Sequence, residues 1–222
     1  AIETALQLKA RCGGSVTALS MGPSACKVVM AEAMAMGADR AVLACDAALA
    51  GADTLATSVS LAAAIRKLAP FDLVLFGTRT SDSDTGQVGP QTAVDLGIPL
   101  VTGVHRFEIY ESGLWVERIM DHMVESFEVD FPAALTIRPE AAPPRDIGLI
   151  GLAESFDRRQ VELMNLEDLG ISPDQVGETG SPTRVLSMKP IRHERRCRMM
   201  EGEPAQIADQ LIHHLSDQGF MD

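Results

Sequence analysis

Residues 71–90 read FDLVLFGTRTSDSDTGQVGP. Phe71 to Phe76 is an unbroken apolar run closed by Gly77, the pattern of a central parallel strand buried on both faces. A polar loop follows, with hydroxyls at Thr78, Thr80, Ser81, Ser83 and Thr85 and with Gly86 and Gly89 near its end. Helical character begins by Gln91 and runs to Leu96. Strand, hydroxyl- and glycine-rich loop, then helix start is an arrangement that binds phosphate, because N–H and O–H groups donate and the helix dipole favours negative charge. The same pattern also describes an ordinary strand-to-helix connection. The loop is neither GxxxxGK[ST] nor GxGxxG, and Asp82 and Asp84 would repel a bare phosphate unless they face ribose hydroxyls, adenine or a metal.

Upstream, Ile2, Ala5, Leu6 and Leu8 fall at helical spacing from Ala1 to Arg11, and Gly13-Gly14 stops that helix. Ser15 to Met21 predicts a strand, Ser24 to Met36 a helix capped by Gly37, and Arg40 to Cys45 a second strand. After the loop Asp46 to Asp53 comes a helix over Thr54 to Leu68, with Asp53 and Thr54 as its N-cap pair. That loop leaves the carboxyl end of a strand, the side on which open α/β sheets bind ligands.

Downstream, Val88 to Leu96 is helical and Pro99 to Val104 is a strand. Repeated strand-helix units predict a doubly wound, mainly parallel α/β sheet of the Rossmann-like, adenine-nucleotide-binding kind. The period then changes: Phe107 to Tyr110, Leu114 to Met120, Met123 to Val129 and Ala133 to Ile137 read as an antiparallel meander, with a hairpin turn at Glu111 to Gly113. Pro139, Pro143 and Pro144 open an irregular stretch that leads to the apolar patch Ile147 to Ala153, either covered by the fold or used on a partner. A short helical turn is expected at Asn165 to Leu169, a linker or arm at Gly170 to Pro182, a last strand at Arg184 to Met188, and an amphipathic helix at Pro204 to Gln218. The chain therefore divides into an α/β domain over residues 1–164 and a C-terminal arm and helix over residues 165–222 that docks on a partner subunit.

At 222 residues, with 46% apolar and 23% charged side chains, the composition is that of a folded globular protein. One Trp, one Tyr and eleven Met imply an Ala/Val/Leu/Met interior. A formal charge of −12 argues against nucleic acid as partner, since phosphate neutralisation needs clustered Lys and Arg. The local exception, Arg192 to Arg198, reads more simply as a solvated segment or subunit contact. Cys12, Cys26, Cys45 and Cys197 form no zinc or CxxC spacing and suit a reducing cytoplasm. No apolar run reaches membrane-spanning length, so the protein is not expected to be membrane-embedded, and no signal peptide is legible.

Catalytic motifs are not found. His105, His122, His193, His213 and His214 are scattered; His105 reads as a surface or loop residue, and none has the spacing of a zinc site or a triad partner. Met30, Met34 and Met36 sit at near-helical spacing and read as core.

Four stretches in order, ALSMGP (18–23), AMAMGADRAVL (33–43), GADTLATS (51–58) and DLVLFGTRTSDSDTGQVGP (72–90), resemble the β subunit of electron transfer flavoprotein. PPRDIGLIGLA resembles that family's proline-arginine recognition loop, and DLGISPDQVGETGSPTRV (168–185) its later arm. The resemblance implies a heterodimer with an α subunit that holds most of an electron-carrying FAD, while the β subunit holds AMP or, in the electron-bifurcating branch, a second FAD. It implies that Asp82, Asp84, Thr85, Gly86, Gln87 and Val88 contact the adenylate phosphate and ribose, with Met21, Gly77 and Thr80 nearby. It also implies that Leu149 anchors acyl-CoA dehydrogenase-type partners; the alternative for Leu149 is a buried loop residue. Family members open with a first strand and a lysine-containing loop that would precede Ala1 and supply part of the nucleotide pocket. ESFDRR at 154–159 stands where many members have a basic run, which bears on partner choice.

DTGQVGP and GSPT resemble the bifurcating branch, in which NADH reduces the β-bound FAD and its two electrons go separately to a low-potential and a high-potential acceptor; the redox partners the resemblance implies are acyl-CoA dehydrogenase-type or quinone/ferredoxin proteins. In the other branch AMP is structural. Only the bifurcating form would make the chain part of an NADH-oxidising enzyme. A competing class is a nucleotide-binding regulatory module of the universal-stress type, which shares the nucleotide fold and needs no α subunit.

Overall fold

A computed structural model describes residues 1–110, 112–121, 123–157, 160–190, 197 and 199–221. Glu111 of the expected hairpin turn, His122, Arg158-Arg159 and nearly all of the basic run Arg192 to Arg198, His193 included, lie outside these residues. The chain divides into two units, Ala1–Arg184 and Val185–Asp222.

In the first unit the elements run α1 (Ile2–Cys12), β1 (Thr17–Met21), α2 (Lys27–Met36), β2 (Arg40–Ala44), α3 (Thr54–Leu68), β3 (Leu73–Gly77), α4 (Val88–Leu96), β4 (Leu100–Ile109), β5 (Gly113–Met120), β6 (Met123–Asp130), β7 (Ala133–Ile137), α5 (Leu149–Asp157), β8 (Glu162–Met164), α6 (Leu166–Leu169) and α7 (Gly177–Gly180). The α/β class follows the sequence. The strands form two sheets: a parallel one in the order β1-β2-β8, and a mixed one in the order β3-β7-β4-β5-β6.

The places expected of two strands in the sheet are corrected first. The Phe71–Phe76 run was expected at the centre of a sheet, buried on both faces, yet β3 is an edge strand that pairs with β7 and is only half-buried. Ala133–Ile137 is not the last strand of a meander. β7 pairs in parallel with both β3 and β4, and all five of its residues are buried. Apolar content brought β3 to the sheet, but the buried interior place beside it went to β7, which has a neighbour on each edge to cover it.

The antiparallel part is β4-β5-β6, and the separate strand expected at Phe107–Tyr110 is the second half of one long β4. His105, expected at the surface, lies in this strand at a register shift, with Nδ1 shielded and without a hydrogen-bond partner.

Small side chains pack the helices onto the sheets. Ala31, Ala33, Met30 and Met34 of α2 close over Ala18, Ala41 and Leu43. Val101, Val104, Leu114, Val116, Leu135 and Ile137 form a second cluster in the mixed sheet. α3 starts at the expected cap, with Asp53 Oδ1 accepting the N–H groups of Leu55 (3.0 Å) and Ala56 (3.1 Å).

The stretch Gly170–Pro182, expected as a linker, is folded. Val176 is fully buried against Leu49, Ala63 and Ala64, and Ser181 is 6% exposed. The strand expected at Arg184–Met188 does not form: residues 183–190 have no regular structure, and Val185, Leu186 and Met188 are exposed.

In the second unit α8 (Pro204–Asp217) opens with a capping box between Glu203 and Gln206. Its Leu211 and Ile212 are exposed.

Candidate functional site

The loop from Gly77 to Val88 is held at both ends and open in the middle. At its start the Thr78 hydroxyl donates to the Ile137 carbonyl at 3.0 Å, fixing the loop to the end of β7. At its end Gln87 caps α4, and its Oε1 accepts from the Thr54 hydroxyl at 3.2 Å. The first residue of α3 thus meets the N-terminus of α4. Between these points Thr80, Asp82, Asp84, Thr85 and Gln87 are exposed, while Gly86 and Val88 are half-buried.

The turn itself depends on backbone conformations that few residues tolerate. Asp84 has φ +52 and Gly86 φ +65. At Gly86 a side chain would also bring a Cβ within 3.1 Å of the Thr78 carbonyl oxygen, so glycine is favoured on two counts.

The carboxylates are already engaged. Asp84 Oδ2 pairs with Arg79 Nη1 at 3.2 Å, and the Asp84 N–H donates to the Thr80 carbonyl. Hydrogen bonds from the Thr80 hydroxyl and the Ser83 N–H hold the Asp82 carboxyl below its usual range. Arg79 offsets the charge that made a phosphate unwelcome here, a role the sequence pattern did not single out. The residues present fit an adenylate: carboxylate oxygens accept from ribose hydroxyls, and the first turn of α4, where Pro90 lacks an N–H, leaves Val88 and Gly89 as donors toward an anion.

The structure brings Gly77, Thr80, Asp82, Asp84, Thr85, Gly86, Gln87 and Val88 into this one loop. Met21 is elsewhere: it ends β1 in the parallel sheet and packs against the cluster around Ala44 and Leu49. Leu149 is not buried. It opens α5 and is 84% exposed, beside Ile150 at 78%.

A second set of contacts adjoins the loop through α3. Asp53 N donates to the Ser181 hydroxyl at 2.8 Å, and Asp53 Oδ2 accepts the Thr183 N–H at 3.1 Å. Burial opposes ionisation of Asp53, but the N–H groups of Ala56, Thr183 and Leu55 outweigh it and hold the carboxyl below its ordinary value. The GSPT segment therefore lies on the cap of the helix whose Thr54 touches Gln87. The signal that could have found this was the pairing of a cap aspartate with a distant Ser-Pro-Thr, which has no local period.

A groove of about 380 Å³ opens along α3 and α4 rather than over the loop, lined by Leu55, Ser58, Val59, Gln91 and Val94. Among the described residues no three His, Cys, Asp or Glu side chains gather to hold a metal, and no helix is long and apolar enough to cross a membrane.

Residues 1–167 match the model of the electron transfer flavoprotein domain. Among curated proteins, the chain is 38% identical over 216 residues to electron transfer flavoprotein subunit beta of Thermoanaerobacterium thermosaccharolyticum, covering 97% of this chain and 83% of that one. It is 42% identical over 185 residues to the subunit of the same name in Clostridium acetobutylicum, covering 83% and 71%. It is 40% identical over 187 residues to the caffeyl-CoA reductase-Etf complex subunit CarD of Acetobacterium woodii, covering 84% and 71%.

Proposed function

This chain belongs to the electron transfer flavoprotein family as a β subunit with a role in electron transfer, and from that premise we propose that it pairs with an α subunit and binds an adenylate, FAD or AMP, on the Gly77–Val88 loop. The observation that carries the reading is the loop's construction: anchored at Thr78 and Gln87, forced open by Gly86, with its aspartates held in place by Arg79, Thr80 and Ser83. Asp82, Asp84 and Thr85 face the ribose, while Gly86, Gln87 and Val88 bring backbone to the phosphate. Gly77 and Thr80 frame the loop.

Of the two ligands we favour FAD with NADH as donor, the bifurcating form, on the strength of DTGQVGP and GSPT. The flavin supplies the redox chemistry when bound, and the protein supplies position and electrostatics. In the other form AMP fills the same loop and stabilises the fold. The family match along residues 1–167 supports either over a universal-stress-type module.

For the redox partner we propose a CoA-ester reductase or acyl-CoA dehydrogenase that docks on Leu149, with a quinone- or ferredoxin-linked acceptor downstream. The name of CarD couples a related chain to such a reductase, and Leu149 is exposed enough to be an anchor. The segment 165–222, with the exposed stripe of α8, docks on the α subunit. Free thiols at the described Cys residues suit the cytoplasm as the setting.

The test is to isolate the heterodimer, denature it and identify the nucleotide released. FAD in excess of one per heterodimer supports the favoured form and AMP the other. A colourless homodimer releasing ATP, or no nucleotide at all, overturns the reading.

A further inference from the structure

Glu3, in the first turn of α1, is a charged side chain only 8% exposed. Its Oε2 accepts from Arg145 Nε at 2.7 Å and from the Arg145 main-chain N–H at 3.2 Å. Its Oε1 accepts from Arg145 Nη2 at 3.0 Å and from Gln7 Nε2 at 3.2 Å. A carboxylate at this depth needs such partners, and here three of the four bonds come from one residue. The main-chain bond adds to the side-chain pair, because it holds the path of the chain as well as the position of a side chain.

That path leads to the exposed apolar pair. Pro143 and Pro144 just before Arg145 carry no N–H, so Arg145 is the first backbone donor beyond the prolines. Residues 143–148 have no regular structure, and α5 begins at Leu149. On the far side, Gly151 lies so close to α2 that a Cβ there would come within 2.7 Å of the Ala35 carbonyl oxygen. Leu149 and Ile150 therefore stand between two fixed points, Arg145 on α1 and Gly151 on α2, and both remain exposed.

We propose that the Glu3–Arg145 pair is a positioning device that presents Leu149 and Ile150 as a preorganised apolar knob to a CoA-ester reductase or acyl-CoA dehydrogenase. The proposal rests on the reading of Leu149 as the docking point. Holding the knob in its bound shape removes the ordering cost of a loose loop from the association step. Electron transfer within the formed complex is left unchanged.

The experiment uses the flavin-loaded heterodimer with a purified short-chain acyl-CoA dehydrogenase and its acyl-CoA substrate as the probe. Glu3→Ala and Arg145→Ala each raise KM for the heterodimer about tenfold, with kcat at saturation and flavin content unchanged. Hydrogen exchange at residues 146–150 speeds up in both variants without the dehydrogenase present.

Leu149→Ala in the same assay separates the two readings. If it raises KM while Glu3→Ala and Arg145→Ala do not, the positioning proposal is overturned and the docking point stands. If it has no effect, the docking point falls and takes this proposal with it. Should Arg145→Ala fail to fold, Glu3→Ala decides, since it removes the acceptor of every one of these bonds: a raised KM supports the device, and an unchanged one overturns it.

Discussion

The Ser181 hydroxyl accepts the main-chain N–H of Asp53 at 2.8 Å across 128 positions of sequence and donates to the Gly177 carbonyl at 2.6 Å. One hydroxyl thus ties the 177–183 segment to the cap of α3, beside the candidate nucleotide loop. Ser181→Ala leaves the Asp53 N–H unpaired in a partly buried place and costs about 1–3 kcal/mol. Asp53→Ala costs about 1–2 kcal/mol as a lost N-cap. The double variant loses less than the sum, because both remove the same attachment. Urea unfolding of the four proteins checks this, and strict additivity would contradict it.

The pH dependence of stability carries the signature of Glu3. Its carboxyl is pulled down from 4.5 to about 2, chiefly by the hydrogen bonds from the Arg145 side chain and against the effect of burial. Because the folded value lies below the unfolded one, this contribution is complete above 4.5 and fades as the pH falls toward about 2. The stability gap between wild type and Glu3→Gln is therefore constant near neutrality and narrows in acid. A gap that widened in acid would refute the assignment.

Central and edge strands respond differently to truncation. Leu135 of β7 is 1% exposed, and Leu135→Ala costs about 2–5 kcal/mol through lost burial and the cavity left behind. Leu75 of β3 is only half-buried, so Leu75→Ala costs less than that. Thermal unfolding ranks the two, and a larger loss at Leu75 would restore β3 to the sheet centre.

At the nucleotide loop Gly86→Ala separates fold from ligand. A φ of +65 strains any side chain there by about 1–2 kcal/mol, and the Thr78 carbonyl adds crowding. The fold tolerates this on an exposed loop, while adenylate affinity falls about tenfold or more, since 1.4 kcal/mol of misplacement is a factor of ten. Titration of the apo heterodimer with FAD and with AMP measures it. Unchanged affinity for both would move the ligand away from this turn.

Much of the framework was legible in advance. Asp53 before Thr54 predicted the start of α3, the run to Leu68 its end, and the strand-length segments after Phe107, with no long helix between them, the antiparallel β4-β5-β6 part. The loop residues from Gly77 to Val88 were found together because they are contiguous in sequence. Arg79 was missed because a lone arginine among hydroxyls has no pattern; its role depends on the fold of the turn that brings it to Asp84. α5 was read as an irregular apolar patch because its first turn, LIGL, has no polar face until α2 supplies the surface it packs against.

Caps, periods and glycine stops are interactions between near neighbours, so the amino-acid sequence by itself determined where α1 to α4 and the strands up to β7 lie and what chemistry the loop can offer. Which strand sits beside which was decided only in three dimensions. β3 and β7 are both short and apolar, and nothing local says that β7 passes between β3 and β4 or that β3 keeps an open edge. The same holds for Glu3 with Arg145 and for Asp53 with Ser181, whose partners are more than a hundred residues apart. Such contacts exist only once the chain has closed on itself, because hydrogen bonding depends on distance in space and leaves no spacing along the chain.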